Sequence, residues 1–237
     1  ITPSINNEFK HAFLSHEWGK VTEPVDVVKN LLNEAQKGGV VFYKNHVERI
    51  SESLKSVLIE AENGSFQYDA VIIAAGIDSI SFAKSLGDFL PMTAERGYNL
   101  TLPSPNIQID IPIVFADRGI VATSLRSGLR IGGWAEYANP MRPANQAYFD
   151  SIARISQELF PGLDVEGANY WMASRPSMPD SLPVISRSQK LDRVFYNCGH
   201  GHYGLTHAAT SAKLVCDLLT NNQNLSVSSL FSINRFL

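Results

Sequence analysis

Apolar positions along this 237-residue chain change period several times, and each change predicts an element. Residues 1–20 show no clear period. After Glu23-Pro24-Val25-Asp26, the apolar positions Val27, Val28, Leu31, Leu32 and Ala35 recur at helical spacing. A proline in the first turn and Lys37-Gly38-Gly39 at the far end mark that helix's start and stop. Short apolar runs at 40–43, 47–50 and 54–61 predict strands, with Glu62-Asn63-Gly64-Ser65 as a turn. Residues 69–75 are apolar almost throughout, the pattern of a strand buried on both faces in a helix-covered parallel sheet, and Gly76 closes it. A short helix follows at 79–86 and ends at Gly87.

The pattern then turns β-like. Runs at 97–102, 112–116, 120–124 and 129–134 are joined by Asp117-Arg118-Gly119 and Arg126-Ser127-Gly128, which predicts an antiparallel meander. Phe149, Ile152, Ile155 and Leu159 give helical spacing over 144–160, stopped by Pro161-Gly162. Strands are predicted at 169–173, 182–185 and 194–198, then a helix over 205–220 and a polar tail. The expected fold class is α/β of mixed α+β character, an α/β layer interrupted by an antiparallel sheet with a covering helix. The expected domains are 1–90, 91–175 and a return to the first layer over 176–237.

Composition narrows the function classes. With 44% hydrophobic residues the chain can bury a core, and its net charge of −3, without a basic run, argues against a nucleic-acid surface. Cys198 and Cys216 form neither a disulfide framework nor a zinc spacing, which fits a reducing compartment. No apolar run reaches the roughly 18 residues that span a bilayer. Ile1-Thr2-Pro3-Ser4 lacks the regions of a signal peptide and an initiator Met, so the chain is expected to begin inside a longer sequence.

The most informative stretch is Asn197-Cys198-Gly199-His200-Gly201-His202-Tyr203-Gly204-Leu205, between an apolar run and a helix. Glycines allow close backbone approach, and a helix N-terminus stabilises negative charge. The histidines lack a partner at a familiar metal spacing, so no metal site is expected. No paired carboxylates and no Gly-x-Ser-x-Gly elbow suggest acid–base or serine chemistry, and no catalytic side chain is assigned. The Gly-x-Gly-x-x-Gly fingerprint of a dinucleotide-binding βαβ unit is read as absent after any strand.

Four ordered blocks carry a family resemblance. They are Val71-Ile72-Ile73-Ala74-Ala75-Gly76-Ile77-Asp78-Ser79, Arg96-Gly97-Tyr98-Asn99-Leu100-Thr101, Ile131-Gly132-Gly133-Trp134-Ala135-Glu136, and residues 174–185 beginning Ser174-Arg175-Pro176 and leading on to Gly199-His200-Gly201. Together they resemble the C-terminal portion of the FAD-dependent amine oxidoreductases that include D-amino acid oxidase, glycine oxidase and bacterial D-amino acid dehydrogenase, the last most of all. One departure is that the dehydrogenase branch usually reads Gly-His-Gly-Thr-Leu-Gly where this chain has Gly201-His202-Tyr203-Gly204.

The resemblance implies an FAD-binding layer and a substrate domain. Arg175 would grip an amino acid's carboxylate through parallel charge-assisted bonds, with Tyr98 and Tyr203 lining the amine pocket. Val47, Ala74, Ala75, Gly76, Gly199, His200, Gly201, His202, Tyr203, Gly204 and Leu205 would contact the cofactor. The implied activity is oxidative deamination of a D-amino acid by an FAD-dependent dehydrogenase or oxidase, with a quinone or another electron acceptor. The alternatives are a glycine/sarcosine-type amine oxidase, and an inactive fragment or non-catalytic binding subunit. Without the N-terminal βαβ unit, FAD is expected to be weakly bound or absent in this chain, which alone is expected to be inactive. Uncovered sheet edges suggest a dimer. The expected location is cytoplasmic, with peripheral contact at the inner membrane.

Overall fold

The computed structural model describes residues 5–220 and 229–236. Residues 1–4, most of the expected polar tail (221–228) and residue 237 lie outside the described residues.

In chain order, helix α1 (Pro24–Lys37) is followed by strands β1 (Val47–Glu52), β2 (Val57–Ala61), β3 (Gly64–Tyr68) and β4 (Val71–Ile73). Helix α2 (Ser79–Leu86) precedes strands β5 (Thr93–Leu102), β6 (Ile113–Phe115), β7 (Ile120–Leu125) and β8 (Gly128–Tyr137). Helix α3 (Gln146–Leu159), strands β9 (Asn169–Ser177), β10 (Val184–Arg187) and β11 (Val194–Cys198), and helix α4 (Gly204–Leu219) complete the set. The mixture of helix and strand is the expected fold class.

The chain divides into two compact units. The first holds Ile1–Phe42, Gly97–Glu136 and Arg142–Ala173; the second holds Tyr43–Arg96, Tyr137–Met141 and Ser174–Leu237. In the first, β6, β7 and β8 form an antiparallel meander, with Val114 opposite Val121 and Ala122 opposite Ile131, whereas the run at 97–102, expected to lead into it, lies in β5 beside β8 and not beside β6. The five-stranded order is β6-β7-β8-β5-β9, in which Thr93–Arg96 of β5 and Ser174–Ser177 of β9 are residues of the second unit. Leu100, Ile120, Leu129 and Ile131 bury one core with Phe149, Ile152, Ile155 and Leu159, the inner face of α3. Asn145 caps α3 by accepting the Ala147 N–H at 3.1 Å, which satisfies one of the orphan donors of the first turn.

In the second unit, β1, β2 and β3 form an antiparallel meander. The three-stranded order β10-β11-β4 combines an antiparallel pair with a parallel one. Ile50, Val57, Ile73, Met178, Val184, Val194 and Tyr196 share its main core. Gly87 ends α2 in the left-handed conformation, φ 84°, which costs a residue without Cβ little.

Two expectations are corrected. Residues 40–43 form no strand, and Val40, Val41, Phe42 and Tyr43 are exposed; β propensity makes a strand only where a neighbour takes the backbone groups. Strand β4 is three residues long at one end of its sheet, and Ile72 is 38% exposed, so it is not buried on both faces. Helix α1 forms as predicted, and none of its residues is buried.

Candidate functional site

Strands β4 and β11 are parallel neighbours, with Val71 opposite Val194 and Ile73 opposite Tyr196. Their carboxyl ends therefore leave the sheet side by side, bringing Ala74-Ala75-Gly76 next to Cys198-Gly199-His200-Gly201. Carboxyl ends of parallel strands are where open α/β sheets collect ligands. Ala74 and Ala75 are exposed, and Gly76, at φ 56°, has no atom within 4 Å of where a Cβ would stand. The result is a small-residue ledge beside a glycine-rich turn.

That turn is held from both sides. Gly201 donates its N–H to the Pro176 carbonyl at 2.9 Å, and Ser177 pairs with His200 in an isolated antiparallel bridge. The Arg175-Pro176 block and the glycine turn, distant in sequence, are thus adjacent. Gly199 adopts φ 77°, and a Cβ there would lie 2.7 Å from Met178 Cγ. His200 Nε2 lies 2.8 Å from Ser211 Oγ of α4, tying the turn to the helix it introduces. Burial, and secondarily His207, lowers the His200 pKa below the ordinary histidine value. Tyr203 gives α4 no side-chain cap, so the first-turn N–H groups point outward as donors.

One reading of the sequence is corrected by this placement. Gly199, Gly201 and Gly204 stand in Gly-x-Gly-x-x-Gly spacing, after β11 and before α4. The fingerprint expected to be absent after every strand is therefore present after β11. No strand after α4 completes a βαβ unit among the described residues.

A buried carboxylate, Glu95, gathers the groups around Arg175. The Glu95 side chain is 8% exposed, and its Oε1 lies 3.2 Å from Arg175 Nη1 and 3.0 Å from His202 Nε2. Ser177 Oγ donates to the other oxygen at 2.8 Å. The Arg175 side chain is 29% exposed, more open than its partner. No sequence signal marks Glu95: β5 reads Thr93-Ala94-Glu95-Arg96-Gly97-Tyr98-Asn99-Leu100-Thr101-Leu102, mixed in polarity, and only its burial along nearly its whole length shows a charge that needs partners.

The other expected residues fall in different settings. Tyr203 is exposed beside the turn and stacks on His207, with ring centroids 5.4 Å apart; Leu205 is exposed in the first turn of α4. Val47 opens β1, half-buried, opposite Ala61. Tyr98 sits in the core of the first unit, 1% exposed, stacked on Tyr148 at 4.7 Å. Its hydroxyl donates to Glu136 Oε2 at 2.7 Å and accepts the Asn145 N–H at 3.1 Å. Burial pushes the Cys198 thiol up to about 12, whereas Cys216 is exposed. Among the described residues no group of three or more His, Cys, Asp or Glu side chains could hold a metal ion, and no helix is long and apolar enough to cross a membrane.

The ledge, the positive-φ glycines and the uncapped N-terminus of α4 suit a flavin nucleotide: the first two allow close approach, and the last offers donors to an electron-rich ring edge. A family model described as FAD dependent oxidoreductase matches residues 1–218. The chain is 30% identical over 240 residues to a D-amino-acid oxidase of Bradyrhizobium diazoefficiens, covering 99% of this chain and 57% of that protein. It is 33% identical over 213 residues to a D-amino acid dehydrogenase of Neisseria meningitidis serogroup C, covering 88% of this chain and 51% of the relative. The chain thus spans about half the length of these curated relatives. Among solved structures, glycine oxidase from Geobacillus kaustophilus is similar with a TM-score of 0.76 at 22% identity, over 90% of this chain and 58% of that one. The match over residues 1–218, with the strand–glycine turn–helix at its end, places the chain in the DAO family of FAD-dependent oxidoreductases.

Proposed function

We propose that this chain forms the substrate-holding part of an FAD-dependent enzyme that oxidatively deaminates D-amino acids. The observation carrying this reading is the junction of Arg175-Pro176 with the glycine turn, made by the Gly201 N–H and the Pro176 carbonyl. Arg175 binds the substrate carboxylate, and its planar fork fixes the direction in which the α-carbon points. Tyr203, exposed beside the turn, flanks the amine. The first-turn N–H groups of α4 and the turn Gly199–Leu205 would hold the electron-rich edge of the flavin; Ala74, Ala75, Gly76 and Val47 would serve its nucleotide half. A bound flavin would supply the acceptor for the α-hydrogen, which would leave as hydride with the two electrons of the C–H bond. The amine nitrogen loses a proton as the C=N bond forms, and water then gives a 2-oxo acid and ammonia. A quinone or other carrier removes the electrons.

The test is anaerobic mixing of the whole flavoprotein with D- and L-amino acids while flavin absorbance is followed. D-enantiomers bleach it and L-enantiomers do not. Arg175→Ala removes two charge-assisted bonds, about 3 kcal/mol, and lowers kcat/KM roughly 100-fold. Bleaching by glycine or sarcosine alone replaces this reading with a glycine-oxidase type. Unchanged kcat/KM in Arg175→Ala removes Arg175 as the anchor, and a wild type bleached by no amine supports a non-catalytic role. Outside the turn at Gly199–Gly204 no second Gly-x-Gly-x-x-Gly is present to grip the diphosphate. This favours weak flavin retention by residues 1–237 alone, which a fluorescence titration with FAD checks.

A further inference from the structure

We infer that Glu95 is a positioning residue that aims the Arg175 fork at the substrate carboxylate. The inference rests on the reading of Arg175 as the carboxylate anchor. Glu95 lies on β5, and its partners come from two other segments: Arg175 and Ser177 on β9, His202 in the turn before α4. Ser177 occupies Oε2, which fixes the rotation of the carboxylate and leaves Oε1 to face both Arg175 Nη1 and His202 Nε2.

A guanidinium is rigid and planar, so holding one nitrogen sets the direction of the others. Only Nη1 of Arg175 is in a hydrogen bond among the described residues; Nε and Nη2 make none. Glu95 thus takes one corner of the fork and leaves an edge free for two parallel bonds to a ligand carboxylate. Glu95 is nearly buried while Arg175 and His202 are more open, so the carboxylate is the fixed point and the guanidinium and imidazole are held by it. A flexible arginine would lose side-chain entropy on gripping a substrate; one already held has lost part of it before binding. The Gly201 bond to Pro176 and the His202 contact also make Glu95 a tie between the carboxylate anchor and the flavin turn.

The rival role for Glu95 is an internal anion that merely neutralises Arg175 and competes with the substrate. The two roles predict opposite signs. The experiment uses the flavin-loaded whole protein, with benzoate as a carboxylate probe in calorimetry and a D-amino acid in steady-state assays. Glu95→Gln keeps the shape and an acceptor oxygen and is expected to weaken benzoate about tenfold, the scale of one charge-assisted bond. KM should rise by a similar factor with kcat within about threefold, because the lost alignment acts on carboxylate binding. In an Arg175→Lys background, which lacks the fork, Glu95→Gln should add almost nothing. Benzoate binding that is unchanged or tighter in Glu95→Gln overturns the inference in favour of the competing anion. An equal loss in the Arg175→Lys background overturns it in favour of a structural effect not routed through Arg175. If the benzoate results hold but no D-amino acid is oxidised, the functional reading fails and the positioning role stands. If the wild type binds no benzoate, both fall.

Discussion

Gly199→Ala tests whether the backbone of the turn is as constrained as its geometry implies. Gly199 has φ 77°, and an added Cβ would lie 2.7 Å from Met178 Cγ and 3.0 Å from Met178 Sδ. The left-handed conformation costs an L-residue about 1–2 kcal/mol. The obstacle is a flexible methionine, 5% exposed in the core, so displacing it adds about 1 kcal/mol, the lower end for overpacking. The sum is about 2–3 kcal/mol of local stability, equivalent to about 30- to 140-fold in an opening equilibrium. Cys198, one residue away and 2% exposed, is a built-in probe of that opening. In a Cys216→Ser background the reaction of Cys198 with a thiol reagent under native conditions measures it, since a buried neutral thiol reacts only when exposed. Gly199→Ala should raise that rate by the stated factor. Combining it with Met178→Ala should cost less than the sum of the two, because the steric part vanishes while the backbone part stays. A rate within about threefold of the parent would refute the argument.

Further outcomes follow from the buried polar groups. Asp88, 6% exposed, accepts from Ser188 Oγ, Tyr196 Oη at 2.8 Å and the Gln189 N–H at 3.0 Å. Asp88→Ala orphans these donors and should cost about 3 kcal/mol or more in urea unfolding. Tyr98→Phe removes a hydroxyl engaged with both Glu136 and Asn145, and should cost about 1–3 kcal/mol, read as a lower Tm with flavin content unchanged. His200 has a folded pKa below its unfolded value, so the unfolded chain binds the proton first. Its contribution is therefore full above the ordinary histidine pKa of about 6.5 and is lost as pH falls toward the folded value. His200→Gln should shrink the stability difference between about pH 7 and pH 5, measured by urea unfolding in parallel with the parent.

Local chemistry was legible in the sequence, as were the elements it dictates. Proline at the start of α1, Pro161-Gly162 after α3, and glycine after α2 act through their own backbone or nearest neighbours, so the ends they predict appear. The period of Phe149, Ile152, Ile155 and Leu159 likewise fixed which face of α3 is buried. Apolar composition at 40–43 predicted a strand that did not form, because a strand needs a neighbour for its backbone groups and composition is silent about what lies opposite. The motifs of the site could be named from the sequence: Arg175-Pro176 and the glycine turn both stand out by residue type. Their meeting could not. It depends on the parallel register of β4 with β11 and on the bridge from Ser177 to His200, pairings between residues far apart in the chain. Glu95 is the sharpest case. Nothing in its own sequence neighbourhood distinguishes it from a surface glutamate until folding buries it, and a buried charge then gathers Arg175, Ser177 and His202 because no water is there to solvate it.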